Sequence, residues 1–134
     1  MGSKAILVVD DEPEIGEVIA FLLRSYGYQV RYAFNGSDAL QMLAQAPADL
    51  VLTDLMMPVL DGSELVRMMR AMEAFSMTPI LVASATPEDT VRQMCPLASA
   101  FLAKPFTAPQ LLGAVRQLLD LPKTPNEGRD EASK

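Results

Sequence analysis

Three carboxylates, a hydroxyl and an ammonium are the groups in this sequence whose types and spacing could do chemistry together. Asp10 and Asp11 follow the apolar run Ala5-Ile6-Leu7-Val8-Val9, and Asp54 closes the run Leu50-Val51-Leu52-Thr53. Ser84 closes Ile80-Leu81-Val82-Ala83, and Lys104 follows Ala100-Phe101-Leu102-Ala103. Short apolar runs bounded by turn residues read as buried strands, and open α/β sheets place their ligands at the C-terminal ends of such strands. If the first and third strands are neighbours, three carboxylates share one crevice, and their repulsion is tolerable only with proton uptake or a bound cation. The cation is the better explanation. Acids neutralised by Mg2+, with a hydroxyl and an ammonium to bind phosphoryl oxygens, are what metal-assisted phosphoryl transfer to a carboxylate requires.

The bulk composition narrows the field further. At 134 residues, 50% hydrophobic and 21% charged, the chain reads as one globular domain with a real core. A formal charge of −6 argues against a surface for nucleic acid, whose affinity is built on Lys and Arg neutralising phosphates. There is no histidine, which excludes histidine general bases and His-ligated metals, so any metal must be held by oxygen. The single cysteine, Cys95, reads as a small apolar residue at a helix end, with no close basic neighbour to activate it. No apolar run approaches the ~20 residues of a membrane span and no signal-peptide core is present, so a soluble, cytoplasmic protein is expected.

The elements that must position the five groups follow in chain order. Met1 to Ser3 look like a start or cloning remnant, and the domain is expected over 4–121. The first strand is followed by a helix from Pro13 to near Tyr26-Gly27, with Ile15, Val18, Ile19, Leu22 and Leu23 at helical spacing. Residues 28–34 read as a second strand, and Asn35 with Asp38 three residues on opens a second helix. After the third strand, Asp61-Gly62 reads as a turn and helix cap outside the site, before a helix whose Leu65, Met68, Met69 and Met72 form one core-facing stripe. Thr86-Pro87-Glu88-Asp89 reads as a capped helix start, and Pro96 stops that helix early. Thr107 with Gln110 caps the last helix, and 122–134 reads as a flexible tail or linker. Five strands alternating with five helices predict a parallel sheet covered on both faces, a three-layer α/β/α sandwich with right-handed crossovers.

With these motifs in this order, the chain resembles the receiver domain of two-component response regulators. The resemblance rests on Val8-Val9-Asp10-Asp11-Glu12-Pro13, on 53–62 from Thr53-Asp54 to Asp61-Gly62, on Ser84-Ala85 and on Lys104-Pro105-Phe106, and spans residues 4 to about 120. It implies a flavodoxin-like strand order 2-1-3-4-5 and a phosphorylation-dependent signalling switch, not an enzyme of multiple turnover. Asp54 would accept a phosphoryl group from a sensor histidine kinase or phosphotransfer protein. Mg2+, or Mn2+ in its place, would be held by Asp11, Asp54 and the backbone carbonyl of Met56, with Asp10 acting through a water. Lys104 and Ser84 would bind the phosphoryl group, small Ala85 would leave its site open, and Phe101 would follow Ser84 from an outward to an inward rotamer. Met56 and Thr86 would tune hydrolysis. A downstream effector and a homodimer are the implied partners.

Competing readings stand beside these. Asp11 could cap the helix at Pro13 while also binding metal, and Phe101 reads equally as a core aromatic. The segment from Ser84 to Lys104 departs from the family: it is short, Leu97-Ala98-Ser99-Ala100 replaces the common Gly-Ala-Asp-Asp type of turn, and Pro96 interrupts the helix. That departure motivates the alternative of a phosphorylation-independent interaction module on the same fold. A phosphatase is disfavoured because Leu55-Met56 follow Asp54 without the second acid such enzymes use.

Overall fold

The structure, a computed structural model, describes residues 3–120. The expected remnant at 1–3 (apart from Ser3) and the expected tail at 122–134 lie outside the described residues. Five strands, β1 (Ala5–Val9), β2 (Gln29–Ala33), β3 (Leu50–Asp54), β4 (Ile80–Ser84) and β5 (Ala100–Ala103), form one parallel sheet in the order β2-β1-β3-β4-β5. Five helices alternate with them: α1 (Pro13–Ser25), α2 (Gly36–Gln45), α3 (Gly62–Ala71), α4 (Glu88–Met94) and α5 (Ala108–Leu119).

The strands are apolar at consecutive positions because both faces of the sheet are covered. Side chains alternate across a strand, so Leu7, Val9, Val51, Ile80 and Val82 meet Leu43, Leu65, Met69 and Val91 of α2, α3 and α4. Ile6, Val8, Leu50, Leu52 and Leu81 meet Ile19, Leu23, Leu111 and Val115 of α1 and α5. The result is the expected three-layer sandwich.

The helix starts carry their own chemistry. Asn35 accepts the Asp38 amide at 2.8 Å, and Asp61 with Glu64 and Thr107 with Gln110 form complete capping boxes. α4 differs from expectation. It begins at Glu88 with Pro87 at its N-cap and no side-chain cap, and the Thr86 amide donates to the Ser84 hydroxyl at 3.0 Å. Its end is as expected, since Cys95 caps it just before Pro96. Two apolar stripes are narrower than periodicity suggests. Ile15 (39% exposed) and Val18 (59%) on α1 face outward, as do Met68 and Met72 on α3, leaving Leu65, Val66 and Met69 to fill the core.

Candidate functional site

The parallel register brings the chemical groups together. β1 and β3 are adjacent, with Val9 beside Thr53, so the residues that follow them, Asp10 and Asp54, emerge side by side. Carboxylate oxygens of Asp10, Asp11 and Asp54 all lie within 4.8 Å of one another. Lys104, brought alongside by β5, places Nζ 3.5 Å from Asp10 Oδ2 and 3.5 Å from Asp54 Oδ1. One ammonium cannot neutralise three acids held this close, and their oxygen donor set is what a hard divalent cation takes. The residues present therefore fit such an ion.

Asp10 and Asp54 are held by local backbone chemistry. Asp10 is 2% exposed, and its Oδ1 accepts the Glu12 amide at 2.9 Å, which turns the chain out of β1 and into α1. Asp54 Oδ1 accepts the Leu55 amide at 2.8 Å. Burial pushes the Asp54 carboxyl above the usual carboxylate range, with the Asp10 charge adding to the rise, while Lys104 and the Leu55 amide pull it back in part.

The remaining predicted positions divide by distance from this cluster. Ser84 is buried, and it lines one small cavity of about 10 Å3 together with Val82, Thr86, Glu88, Val91 and Phe101. The predicted hydroxyl and aromatic pair therefore share a space. The Phe101 ring is half-buried against the core, with the Arg92 guanidinium 4.7 Å from its centroid. Ala85 and Lys104 line an open groove of about 390 Å3 with Ile15, Pro105 and Phe106. The Lys104–Pro105 peptide is cis. Met56 stands exposed in the loop after Asp54. Cys95 is buried, and that burial pushes its thiol pKa up, in keeping with an inert apolar role.

Three supporting residues escaped the sequence reading. A Cβ on Gly62 would collide with the Asp54 carbonyl and stand 2.9 Å from Leu55 Cα, and its amide donates to the Leu55 carbonyl at 2.8 Å. Gly62 thus lets α3 start directly against the acid-bearing strand end, and the Asp-Gly pair was the signal available for it. Val59 holds φ 72°, a left-handed conformation that a β-branched residue rarely adopts, in the loop between Asp54 and α3. Tyr32 donates its hydroxyl to the Asp10 carbonyl at 2.7 Å. Burial, reinforced by Asp10, Glu17, Asp11 and Glu12, pushes its pKa up to about 12, so the phenol stays a donor.

A five-stranded 2-1-3-4-5 sheet with an acid cluster and a lysine at its C-terminal edge defines a class of doubly wound α/β proteins that bind ligands at the switch point between β1 and β3. Comparison with known proteins gives the family. The family pattern described as "Response regulator receiver domain" matches residues 6–116, and the chain belongs to this family. It is 39% identical over 118 residues to the sensor histidine kinase TmoS of Ectopseudomonas mendocina, covering 87% of this chain and 12% of that protein. It is 36% identical over 118 residues to the transcriptional regulatory protein GltR of Pseudomonas aeruginosa, covering 87% of this chain and 49% of the relative. Among solved structures it is similar to the receiver domain of a sensor histidine kinase from Pseudomonas aeruginosa PAO1 with a magnesium ion coordinated in the active site cleft. There the TM-score is 0.83 at 31% identity, over 90% of this chain and 100% of that one. The chain spans about half or less of the curated relatives it matches. As a receiver domain it is a module of phosphorylation-driven two-component signalling, a signalling domain and not a classical enzyme. No helix among the described residues is long and apolar enough to cross a membrane.

Proposed function

We propose that Asp54 is the phosphoacceptor of this receiver domain, and the observation that carries this is the cluster of Asp10, Asp11 and Asp54 with Lys104 shared between two of them. An Asp54 carboxylate oxygen attacks the phosphorus of a donor phosphohistidine. The new O–P bond forms as the N–P bond breaks, and the imidazole nitrogen keeps the electron pair and then takes a proton. Asp11, Asp54 and the Met56 carbonyl, with Asp10 through a water, would hold Mg2+ or Mn2+, which would supply the positive charge that lets acid and phosphoryl group approach.

Lys104 then transfers its ion pair from Asp54 to the phosphoryl oxygens. The Ser84 hydroxyl, which accepts from the Thr86 amide and keeps its own proton free, donates to the same group. Adding roughly −1.5 to −2 charge is the trigger, and Phe101, beside the same small cavity, carries the change toward α4 and β5. Ala85 leaves the entrance open. The exposed apolar side chain of Met56, with Thr86, slows attack by water and gives a long-lived phosphoaspartate. The donor is a sensor histidine kinase or phosphotransfer protein in the cytoplasm, and the open groove of Ile15, Ala85, Pro105 and Phe106 beside Lys104 leaves the site accessible to it. An effector domain or protein, or a second copy of the chain, reads the result.

Intact-mass measurement after incubation with Mg2+ and acetyl phosphate tests the chemistry. One added phosphoryl group is expected in the wild type and none in Asp54→Asn. No gain in the wild type, or an equal gain in D54N, overturns the assignment. Partner binding indifferent to phosphodonor and to D54N would favour the phosphorylation-independent module instead.

A further inference from the structure

The β1–β2 ladder ends with Val9 beside Ala33, and the chain then turns away to form the acid pair. The Asp10 amide still donates to the Ala33 carbonyl at 3.1 Å. The Asp10 carbonyl, in the peptide that joins Asp10 to Asp11, lies beyond the ladder and takes the Tyr32 hydroxyl at 2.7 Å. That peptide orients both carboxylates, so the hydroxyl fixes the direction in which Asp11 leaves Asp10.

The ring that delivers the hydroxyl is held by two neighbours. Phe34 meets it edge-on, with centroids 4.8 Å apart and planes at 60°. Gly16, buried in the first turns of α1, also lies against it, where an added Cβ would overlap the Tyr32 ring and stand 2.6 Å from its hydroxyl oxygen. Glycine weakens a helix interior, so its presence here needs a reason, and the space taken by the ring provides one. β2, α1 and the β1 terminus thus meet at one phenol.

We propose that Tyr32 is a positioning residue for the cation site, acting through the Asp10 carbonyl, and that Gly16 is bare to admit its ring. This rests on the reading of Asp10, Asp11 and Asp54 as a divalent-cation site. Partners that orient metal ligands without touching the ion commonly contribute 10–100-fold in affinity, and a bond acting through one peptide belongs at the lower end, about tenfold.

Calorimetric titration of Mg2+ at 25 °C and fixed ionic strength tests it on the intact chain, with circular dichroism showing that each variant is folded. Tyr32→Phe, which keeps the ring and removes the bond, is expected to weaken Mg2+ binding about tenfold. Gly16→Ala, which displaces the ring while improving the helix, is expected to do the same, and the double variant should be little worse than either single one. Tyr28→Phe, a phenol packed near the same core without this bond, should bind as the wild type does. A loss of stability alone leaves the affinity of a folded protein unchanged, so Y32F binding Mg2+ within about twofold of wild type overturns the inference. Wild-type protein that binds no Mg2+ overturns the cation-site reading and this inference with it.

Discussion

The two halves of the cleft are built to different standards. On the β1–β3 side two of the three acids are held by more than one neighbour: Asp10 by the Glu12 amide, the Tyr32 hydroxyl and Lys104, Asp54 by the Leu55 amide, Lys104 and the close approach of Gly62. On the β4–β5 side α4 has seven residues and no side-chain cap, Ser84 and Phe101 face a small void, and the cation over Phe101 comes from an exposed arginine. Chemistry needs fixed geometry, whereas a switch needs two arrangements of similar energy. Under the proposed function the first property belongs to the acids and the second to the α4–β5 edge, and substitutions can break or sharpen that contrast.

The largest effect is expected at Gly62. Any side chain there must move the backbone of Asp54 and Leu55, because no flexible group is available to yield. Gly62→Ala should cost about 3 kcal/mol in urea denaturation, the scale of overpacking against fixed atoms. It should also impair phosphorylation in whatever fraction remains folded. A cost under about 1 kcal/mol would mean the acid-bearing strand end is not rigid.

Arg70 comes next, and it complicates the contrast usefully. Its guanidinium donates to the carbonyls of Leu97, Phe75, Ser76 and Thr78 and to the Ser99 hydroxyl, which itself accepts the Ile80 amide at 2.9 Å. The turn read as departing from the family, 97–100, is thus pinned where β5 begins, at the opposite end of that strand from Lys104. Arg70→Ala should cost about 2 kcal/mol, since it strands partly buried carbonyls. Arg70→Lys should recover little, because an ammonium cannot reach so many acceptors in a plane.

Asp54→Asn probes the electrostatics. Burial raises the folded-state pKa of Asp54 above its unfolded value, so the native protein holds that proton more readily. Stability is therefore lost as pH rises through this interval, and the cost is fully present above the folded pKa. In EDTA at pH 7 D54N should exceed wild type by about 1 kcal/mol, the Lys104 pairing lost with the charge offsetting part of the gain. The advantage should shrink as pH falls through this interval and vanish below about pH 3, where the wild-type carboxyl is neutral in both states. Mg2+ should narrow it at pH 7. Equal stability of the two proteins at pH 7 without metal would show that Lys104 fully offsets the burial of the Asp54 charge and its repulsion by Asp10.

What sequence revealed about this arrangement follows the same division. The placement of Asp10, Asp11, Asp54, Ser84 and Lys104 at one edge was legible because each follows an apolar run, and a parallel sheet sends all such ends the same way. The Tyr32 bond was not legible, since a tyrosine in a strand is ordinary and only the three-dimensional path of α1 brings it to the Asp10 carbonyl. Gly16 and Gly62 showed as glycines without showing what pressed on them. Thr86 was misread as a helix cap, because a threonine before proline and two acids satisfies the capping pattern, while α4 starts one residue later with Pro87 at its N-cap and Thr86 belongs to a turn closed onto Ser84. Ile15 and Val18 obey the helical period yet face out, because the α1 stripe is wider than the surface of β1 and β2 that receives it.

The smallest effect is expected at Arg92, and it is the sharpest test of the contrast. Its guanidinium caps the face of Phe101 at 4.7 Å while pairing with Glu88 one helical turn earlier. Both partners of that pair are more than half exposed or nearly so, and contacts of this kind at the surface contribute about 0.5–1 kcal/mol together. Arg92→Ala should therefore change stability by less than about 1 kcal/mol, yet it removes what holds the ring on its solvent side. Aromatic NMR signals of Phe101 should then broaden or shift in the unphosphorylated protein while the amides of Asp10 and Asp54 stay in place. A loss above about 2 kcal/mol, or movement of the acid-site amides, would mean that α4 and β5 are as tightly built as the acid side and that the two halves of the cleft share one standard.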